Sequence, residues 1–186
     1  MHPFNTYTIG LDLASLKDYC IRHGKLKKFS RGDFFETEGM PSHWIGYVIK
    51  GCFKYVVQNK AEGKDYITGF AFNEEFVGDF PNCMSHHPAA ISIVAMNTSK
   101  VYVIDEKELT NVLKEQDFGN IFKHLFGQIY SHYLDSYRMT PKERYLHLLH
   151  RCPQIVQQIN LKDIASFLRV TPTTISNIRR GITFTE

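Results

Sequence analysis

Cysteine is scarce in this sequence, and the few cysteines present are far apart. Cys20, Cys52, Cys83 and Cys152 fall in four separate parts of the 186-residue chain and form no CxxC pair. Zinc and iron–sulfur sites need clustered ligands, so this spacing excludes both. The N-terminal residues show no signal-peptide pattern, and dispersed cysteines in such a chain are typical of reduced thiols. We therefore expect a cytoplasmic protein.

Long apolar runs and catalytic motifs are also missing. No stretch approaches the roughly 20 apolar residues that a membrane helix requires. The sequence contains no GxSxG, P-loop or HExxH motif. His86 and His87 are adjacent, whereas a metal site on β-strands needs alternate residues that share a face. We therefore predict neither an enzyme nor a metal protein, and a β-barrel enzyme is the disfavoured third reading.

Arginine is absent from position 32 to position 137. Residues 1–137 contain fourteen Lys/Arg and sixteen Asp/Glu, a net charge of −2, whereas residues 138–186 contain eight and three, a net charge of +5. A basic segment of this kind favours contacts with phosphates. The charge distribution indicates that the C-terminal part binds nucleic acid.

The stretch LKDIASFLRVTPTTISNIRR, residues 161–180, predicts a helix, a sharp turn and a second helix. Asn160 and Thr171 are favourable N-caps for the two helices. Ala165 is small enough for a close helix crossing. Arg169 stands in the turn where glycine is usual, so we expect it at positive φ. This is the arrangement of a helix-turn-helix, whose second helix enters the DNA major groove.

The exposed face of the second helix is hydrogen-bonding and basic, with no acidic residue. The alternative, a small helical hairpin packed in a core, does not require such a face. Asparagine pairs bidentately with adenine and the threonine methyl contacts thymine, so Asn177 and Thr173 are expected to read bases at an A·T-bearing half-site. The predicted DNA-binding residues are Lys162, Thr171, Thr173, Thr174, Ser176, Asn177, Arg179 and Arg180.

Residues 29–104 have the composition of short β-strands. Aromatic and β-branched residues cluster at 34–35, 44–49, 53–57, 66–72, 91–95 and 101–104, separated by glycine-containing and polar turns. Strands at this regular spacing predict a small antiparallel barrel or a double-layered β-roll. A helix from about Asp12 to Gly24 precedes them, and three lysines between 25 and 28 interrupt the chain.

Residues 105–137 are predicted to be helical. Asp105 and Glu108 form a capping-box pattern, and Asp117 begins a longer helix that is apolar nearly all round. A helix with one neighbour needs only one apolar stripe. We expect the β-roll to cover one side and a second copy of the chain to cover the other; the alternative is a fully buried helix in a monomer.

Residues 139–141 mark a boundary. Pro141 removes a helical hydrogen bond, and Thr140 with Glu143 restarts a helix through a capping box. Residues 155–159 are expected to be a short extended piece. The predicted domains are a β-roll sensor at 1–116, a dimerisation helix at 117–138 and a helix-turn-helix domain at 139–186.

This order of elements resembles the Crp/Fnr family of bacterial transcription regulators. The resemblance rests on FSRGDFFETEGMPSHWIGYVIKGCFKYVV (29–57), EEFVGDF (74–80) and INLKDIASFLRVTPTTISNIRR (159–180). It implies an α+β fold: an antiparallel β-roll or jelly-roll sensor domain like a cyclic-nucleotide-binding domain, a long dimerisation helix and a C-terminal helix-turn-helix. It also implies a homodimer that binds an inverted-repeat site in double-stranded DNA, acts on RNA polymerase and responds to a small-molecule effector.

Family members that bind cyclic AMP carry a Gly-Glu pair for the ribose and, about ten residues later, an Arg-Ser pair for the phosphate. Here the first pair is Gly78 and Asp79, and the second falls near Ala89 and Ala90. A buried phosphate without a cation costs several kcal/mol. We therefore predict that the effector is not cyclic AMP, or is absent. The predicted pocket lining is Gly78, Asp79, Phe80, Ile91 and Tyr133.

No cofactor is predicted. Haem binding remains an alternative, supported only by the presence of histidines. The possible axial ligands are His86, His87, His124 and His132. The alternative function is a β-roll module that binds a small molecule without binding DNA specifically.

Overall fold

The computed structural model describes residues 4–5, 13–114 and 118–183; at 118, 120–122 and 183 it describes the backbone alone. The chain forms two compact units: Asn5–Leu125, and Phe126–Glu186 together with Met1–Phe4. Within the described ranges, no helix is both long enough and apolar enough to cross a membrane.

The first unit contains two antiparallel four-stranded sheets, which confirms the predicted α+β fold with a β-roll. One sheet has the strand order β1-β8-β3-β6 and the other β2-β7-β4-β5. The strands are β1 (Lys25–Phe29), β2 (Phe34–Glu36), β3 (Trp44–Lys50), β4 (Phe53–Asn59), β5 (Lys64–Ala71), β6 (Phe76–Val77), β7 (Ser92–Ala95) and β8 (Ser99–Asp105).

The core of the roll lies between the two sheets because alternate residues of each strand point inward. Val48, Phe53, Ile93 and Val101 are fully buried in one cluster. Gly51 turns the chain from β3 to β4 at φ +100, and a Cβ there would come within 2.1 Å of the Ser99 side chain. Only glycine satisfies both the conformation and the close approach.

Three helices belong to the same unit: α1 (Ala14–His23), α2 (Phe80–Met84) and α3 (Glu106–Lys114). Leu16 and Cys20 of α1 and Leu109 of α3 pack in one buried cluster with Ile45 and Tyr47. The predicted capping box before α3 is present. The Glu108 carboxylate accepts a hydrogen bond from the Asp105 N–H, and the Asp105 carboxylate accepts one from the Glu108 N–H.

Three elements of this unit were not predicted: β1, β6 and α2. The lysines of β1 were expected to interrupt the chain, yet Lys25–Phe29 pairs with β8 in continuous register. An edge strand tolerates charged side chains because its exposed faces contact water. The Lys27 ammonium group lies 3.1 Å from the centre of the Trp44 ring, a cation–π contact that stabilises this edge.

The C-terminal helices are α4 (Phe118–Arg138), α5 (Pro141–Arg151), α6 (Ile155–Gln158), α7 (Leu161–Phe167) and α8 (Pro172–Thr183). The predicted start of the long helix at Asp117 lies outside the described residues. The division between the compact units falls within α4, and the three predicted domain boundaries stay a prediction.

Residues 155–158 form a helical turn and only Ile159 is extended, so the prediction of a short extended piece at 155–159 is wrong. The Ile159 N–H donates a hydrogen bond to the Ile155 carbonyl, and both side chains are buried. Ile155 and Ile159 therefore share one face of a helical turn, and the β-branched residues that suggested an extended chain are used for burial. The predicted capping box of Thr140 and Glu143 is present at the start of α5.

Candidate DNA interface and effector pocket

The helix-turn-helix has the local geometry that its sequence predicts. The Asn160 side chain accepts a hydrogen bond from the Asp163 N–H, and the Thr171 hydroxyl accepts one from the Thr174 N–H. Arg169 has φ +56, as expected for the residue in the glycine position. Ala165 is fully buried, and its carbonyl accepts the Val170 N–H at 2.9 Å. Caps and turn together fix where α8 begins.

Helix α8 has one buried side and one open side. Ile175 is fully buried, whereas Thr173, Asn177 and Arg180 are exposed. The Arg180 guanidinium donates a hydrogen bond from Nη2 to the Asn177 Oδ1 at 2.6 Å. The open side therefore presents the amide of Asn177 and the guanidinium of Arg180, and the hydrogen bond between them orients both groups.

The other predicted DNA-binding residues surround this side. Thr171, Arg179 and the α7 residue Lys162 are exposed, and Thr174 and Ser176 are half-buried. The hydroxyls of Thr171 and Thr174 are 2.8 Å apart, so both take part in the helix cap. The predicted set lies on α8, at Thr171 directly before it, and at Lys162 in the first turn of α7. Contact of these residues with DNA stays a prediction.

The predicted effector loop begins at Gly78, which follows β6. Gly78 has φ +149, and a Cβ there would lie 3.0 Å from the Ile45 side chain. Its N–H donates to the Tyr55 hydroxyl at 3.4 Å. The next residue, Asp79, precedes α2, so the loop and the short helix together place the Asp79 carboxylate.

Asp79 makes its hydrogen bonds inside the protein. Its Oδ2 accepts from the Ala90 N–H at 2.7 Å and from the Asn82 side-chain amide at 2.8 Å. Its own N–H donates to the Glu36 Oε2 at 2.7 Å, and the Ser42 hydroxyl donates to the other Glu36 oxygen. The predicted phosphate position is at Ala89 and Ala90. The Ala90 N–H there is therefore already bonded to the Asp79 carboxylate.

Glu36 is a buried acid beside this loop that the sequence did not reveal, because nothing in FFETEGM separates it from the half-buried Glu38. It is buried, and burial raises its pKa; the nearby Asp79 carboxylate adds to the rise, and the hydrogen bonds from Ser42 and from the Asp79 N–H oppose it. Two acids, with no arginine between positions 32 and 137, make this loop unfavourable for an anion.

A cavity of about 70 Å³ lies beside the loop within the first unit, lined by Gly78, Phe80 and eight other, mostly apolar residues. Small-molecule sites usually have volumes of about 300–1,000 Å³. Asp79 and Ile91 do not line this cavity, and Tyr133 belongs to the C-terminal unit. The structure thus brings two of the five predicted lining residues to one cavity.

The C-terminal two-thirds of α4 carries an exposed apolar surface. Five large side chains on it are at least half exposed: Phe126, Ile129, Tyr130, Tyr133 and Tyr137. Leu125, by contrast, packs against the cluster that contains Leu16 and Leu109. Helix α4 is therefore covered at Leu125, and along the following turns one side of it is exposed and apolar.

The histidines considered for haem are spread over the structure. His86 and His87 are exposed in the loop after α2, and the His86 Nδ1 lies 2.7 Å from the Glu106 Oε2. His124 and His132 lie on α4. Among the residues that the structure describes, no group of three His, Cys, Asp or Glu is arranged to hold a metal ion.

Residues 26–116 match the family model of the cyclic nucleotide-binding domain. FixK2 from Bradyrhizobium japonicum has a similar structure, with a TM-score of 0.71, 15% identity, and coverage of 87% of this chain and 85% of that chain. The global regulator CLP of Xanthomonas campestris has a TM-score of 0.64 and 13% identity, covering 94% and 93%. No curated protein is significantly similar in sequence.

A third similar structure is that of a CooA mutant from Carboxydothermus hydrogenoformans. Its TM-score is 0.66 at 13% identity, with 98% of this chain and 85% of that chain covered. These identities are low, and what the structures share with this chain is the fold. The resemblance predicted from the sequence is confirmed: residues 26–116 match the cyclic nucleotide-binding domain model, and the chain has the fold of the Crp/Fnr transcription regulators.

Proposed function

We propose that this protein is a homodimeric, sequence-specific DNA-binding transcription regulator whose effector is not cyclic AMP or is absent. The exposed side of α8 carries the proposal. It presents Asn177, Arg180 and Thr173 to solvent, while Ile175 anchors the helix in the core. Amide, guanidinium and threonine groups on a helix that is free on one side are what base readout in the major groove requires.

The exposed apolar side of α4 supports the homodimer. Each large apolar side chain that is fully buried contributes about 1.5–3 kcal/mol relative to its exposed state. Ile129 and Tyr137 are 66% and 72% exposed, so a partner helix would remove substantial apolar area from water. A twofold dimer also places two recognition helices about one DNA turn apart, which matches an inverted-repeat site.

The hydrogen bond from the Ala90 N–H to the Asp79 carboxylate supports the proposal that the effector is not cyclic AMP. A cyclic nucleotide phosphate would have to displace this acid, and no arginine from this part of the chain would pair with it. CLP is described as c-di-GMP responsive, and a similar Silicibacter pomeroyi protein as a putative cAMP-binding regulator. The loop of this chain is unfavourable for the phosphate of cyclic AMP.

The proposal includes the division into a sensor domain (1–116), a dimerisation helix (117–138) and a helix-turn-helix domain (139–186). It also includes RNA polymerase as a partner and the cytoplasm as the location. Both follow from the proposed activity, because a DNA-binding regulator acts where the genome is transcribed.

Selection from a random-sequence duplex pool tests the proposal. The purified full chain is used at physiological salt without added ligand, and we expect enrichment of an inverted repeat with half-sites about one helical turn apart. A matched control is the double variant Asn177→Ala, Arg180→Ala, which removes the readout groups and leaves the buried Ile175 in place. Enrichment of the same sequences by the wild type and this control would show that residues other than Asn177 and Arg180 read the bases. No enrichment by the wild type would refute specific DNA binding in the absence of an effector, and a small-molecule-binding β-roll module would then be the better reading.

A further inference from the structure

The C-terminal unit contains a cavity of about 340 Å³ that the proposed function does not use. It is bounded by the last turns of α4, by α5, and by the end of α7 with the turn that follows. Its volume falls at the lower end of the range for sites that bind small molecules, about 300–1,000 Å³. All of its lining residues belong to the C-terminal unit, so it is separate from the small cavity of the β-roll.

The charged groups of this cavity are mainly cationic. Arg144, Arg151 and Arg169 line it together with one acid, Asp135, which gives a net charge of +2 with the histidines neutral. Guanidinium groups bind carboxylates and phosphates through paired N–H donors. A cavity with this composition favours an anionic ligand.

Arg144 is held in place before any ligand arrives. Its Nη1 donates hydrogen bonds to the carbonyls of Ser136 at 2.9 Å and Met139 at 3.2 Å. Its Nε is buried and has no hydrogen-bond partner among the described residues. A guanidinium fixed in this way loses little conformational entropy on binding.

Arg151 and one wall of the cavity are also ordered by packing. The Arg151 guanidinium lies 4.6 Å from the centre of the Phe4 ring. His132 stacks on Phe167, with ring centres 5.5 Å apart and planes 13° from parallel. Desolvation lowers the pKa of His132, and the positive charge of Arg151 adds to the shift, as expected where the local potential is positive.

We propose that this cavity is a binding site for a small organic anion with a carboxylate or phosphate group on an apolar body. The arginines take the anionic group, and Leu148, Phe167 and Leu168 provide the apolar wall. Because Arg169 is the turn residue of the helix-turn-helix, a bound anion would contact both α4 and the turn that positions α8. Any effect of the anion on DNA binding rests on the proposed function, whereas binding of the anion to the cavity does not.

The test is NMR titration of the full chain, with ¹³C-labelled histidine, using benzoate and phenyl phosphate as probes and benzamide as the neutral control. We expect saturable binding of at least one of the two anions at one site per chain. The ring signals of His132 and His147, which line the cavity, should shift, and that of His86, which faces Glu106, should not. Benzamide should bind at least tenfold more weakly.

Two variants test the role of the arginines. Arg144→Gln and Arg169→Gln should each weaken binding of the anion at least tenfold, whereas Arg138→Gln, which changes an exposed α4 residue outside the lining, should leave it unchanged. Arg169→Gln is informative even if loss of the Arg144 hydrogen bonds loosens the fold. The proposal is overturned if neither anion binds at millimolar concentration, if benzamide binds equally well, or if Arg169→Gln binds like the wild type. None of these measurements uses DNA, so a negative result for anion binding can be distinguished from a negative result for DNA binding.

Discussion

Arg180 orients Asn177 on the open side of α8, through a 2.6 Å hydrogen bond from its guanidinium to the Asn177 amide oxygen. An amide oxygen has two lone pairs, so this bond leaves one of them, and the side-chain NH₂ group, for a base. Adenine offers N6–H and N7 in the matching arrangement. Under the proposed function, Asn177 would therefore read a base, and Arg180 would fix the direction of its amide and contact a phosphate.

Asn177→Ala should lower affinity for the preferred site by about 1–3 kcal/mol and flatten preference at one base pair of each half-site. The reason is the loss of both hydrogen bonds to one base. Sequence selection with the variant and competition binding on the wild-type site measure the two effects. An unchanged selected motif would show that another residue reads this position.

Arg180→Ala should weaken binding to all sequences, reduce the salt slope by about 1, and also reduce the adenine preference. The first two effects follow from the lost phosphate contact, and the third from the freed Asn177 amide. Arg179→Ala is the matched control, because it removes a neighbouring exposed cation and should change only affinity and salt slope. Equal loss of adenine preference in both variants would contradict the orienting role of Arg180.

Ile129→Glu should convert the dimer to a monomer without unfolding the chain. Ile129 is 66% exposed, so a charge there is tolerated in the monomer and is costly only if a partner covers it. Light scattering coupled to size exclusion measures the mass. Leu26→Glu on β1, where the side chain is 48% exposed, is the control and should remain dimeric. A wild-type monomer at micromolar concentration would refute the interface.

Cyclic AMP should not bind the full chain with micromolar affinity. The Ala90 N–H is bonded to Asp79, and buried Glu36 is adjacent, so a phosphate would meet carboxylates where it needs a cation. Calorimetric titration at neutral pH decides the point. Micromolar binding would mean that the loop rearranges and recruits a cation from elsewhere.

Glu36→Gln should stabilise the protein increasingly as pH rises. The pKa of Glu36 is raised from its ordinary 4.5, so the folded state holds this proton more tightly than the unfolded state does. The wild type therefore loses stability as pH rises from the unfolded pKa through the folded one, whereas glutamine does not titrate. Urea unfolding at several pH values between 4 and 7 measures the difference in unfolding free energy.

An exposed acid provides the control for this pH dependence. The Tyr66 hydroxyl donates to Glu62, and this bond lowers the pKa of Glu62, so Glu62→Gln should lose stability relative to the wild type as pH rises. A difference between Glu36→Gln and wild type that does not change with pH would show that Glu36 titrates normally in the folded protein.

Local signals in the sequence determined the helix-turn-helix and most of the strands. The caps at Asn160 and Thr171 each join residues three positions apart, and the positive φ of Arg169 is a property of the turn itself. These features could therefore be predicted directly from the sequence. Alternation of apolar residues likewise specifies strands whose inner faces are buried. The edge strand β1 escaped prediction because its side chains are exposed or half-buried, so its sequence has no alternation of apolar residues.

Only the tertiary structure decided which groups meet at the predicted effector loop and in the C-terminal cavity. Asp79 lies 43 positions from Glu36 and 11 from Ala90, and nothing local to any of them specifies that their polar atoms are bonded. The arginines of the C-terminal cavity come from α5 and from the turn after α7, and only packing of these helices brings them together. Composition determined that this end of the chain is basic, and the packing of its helices determined where that charge encloses a volume large enough for a ligand.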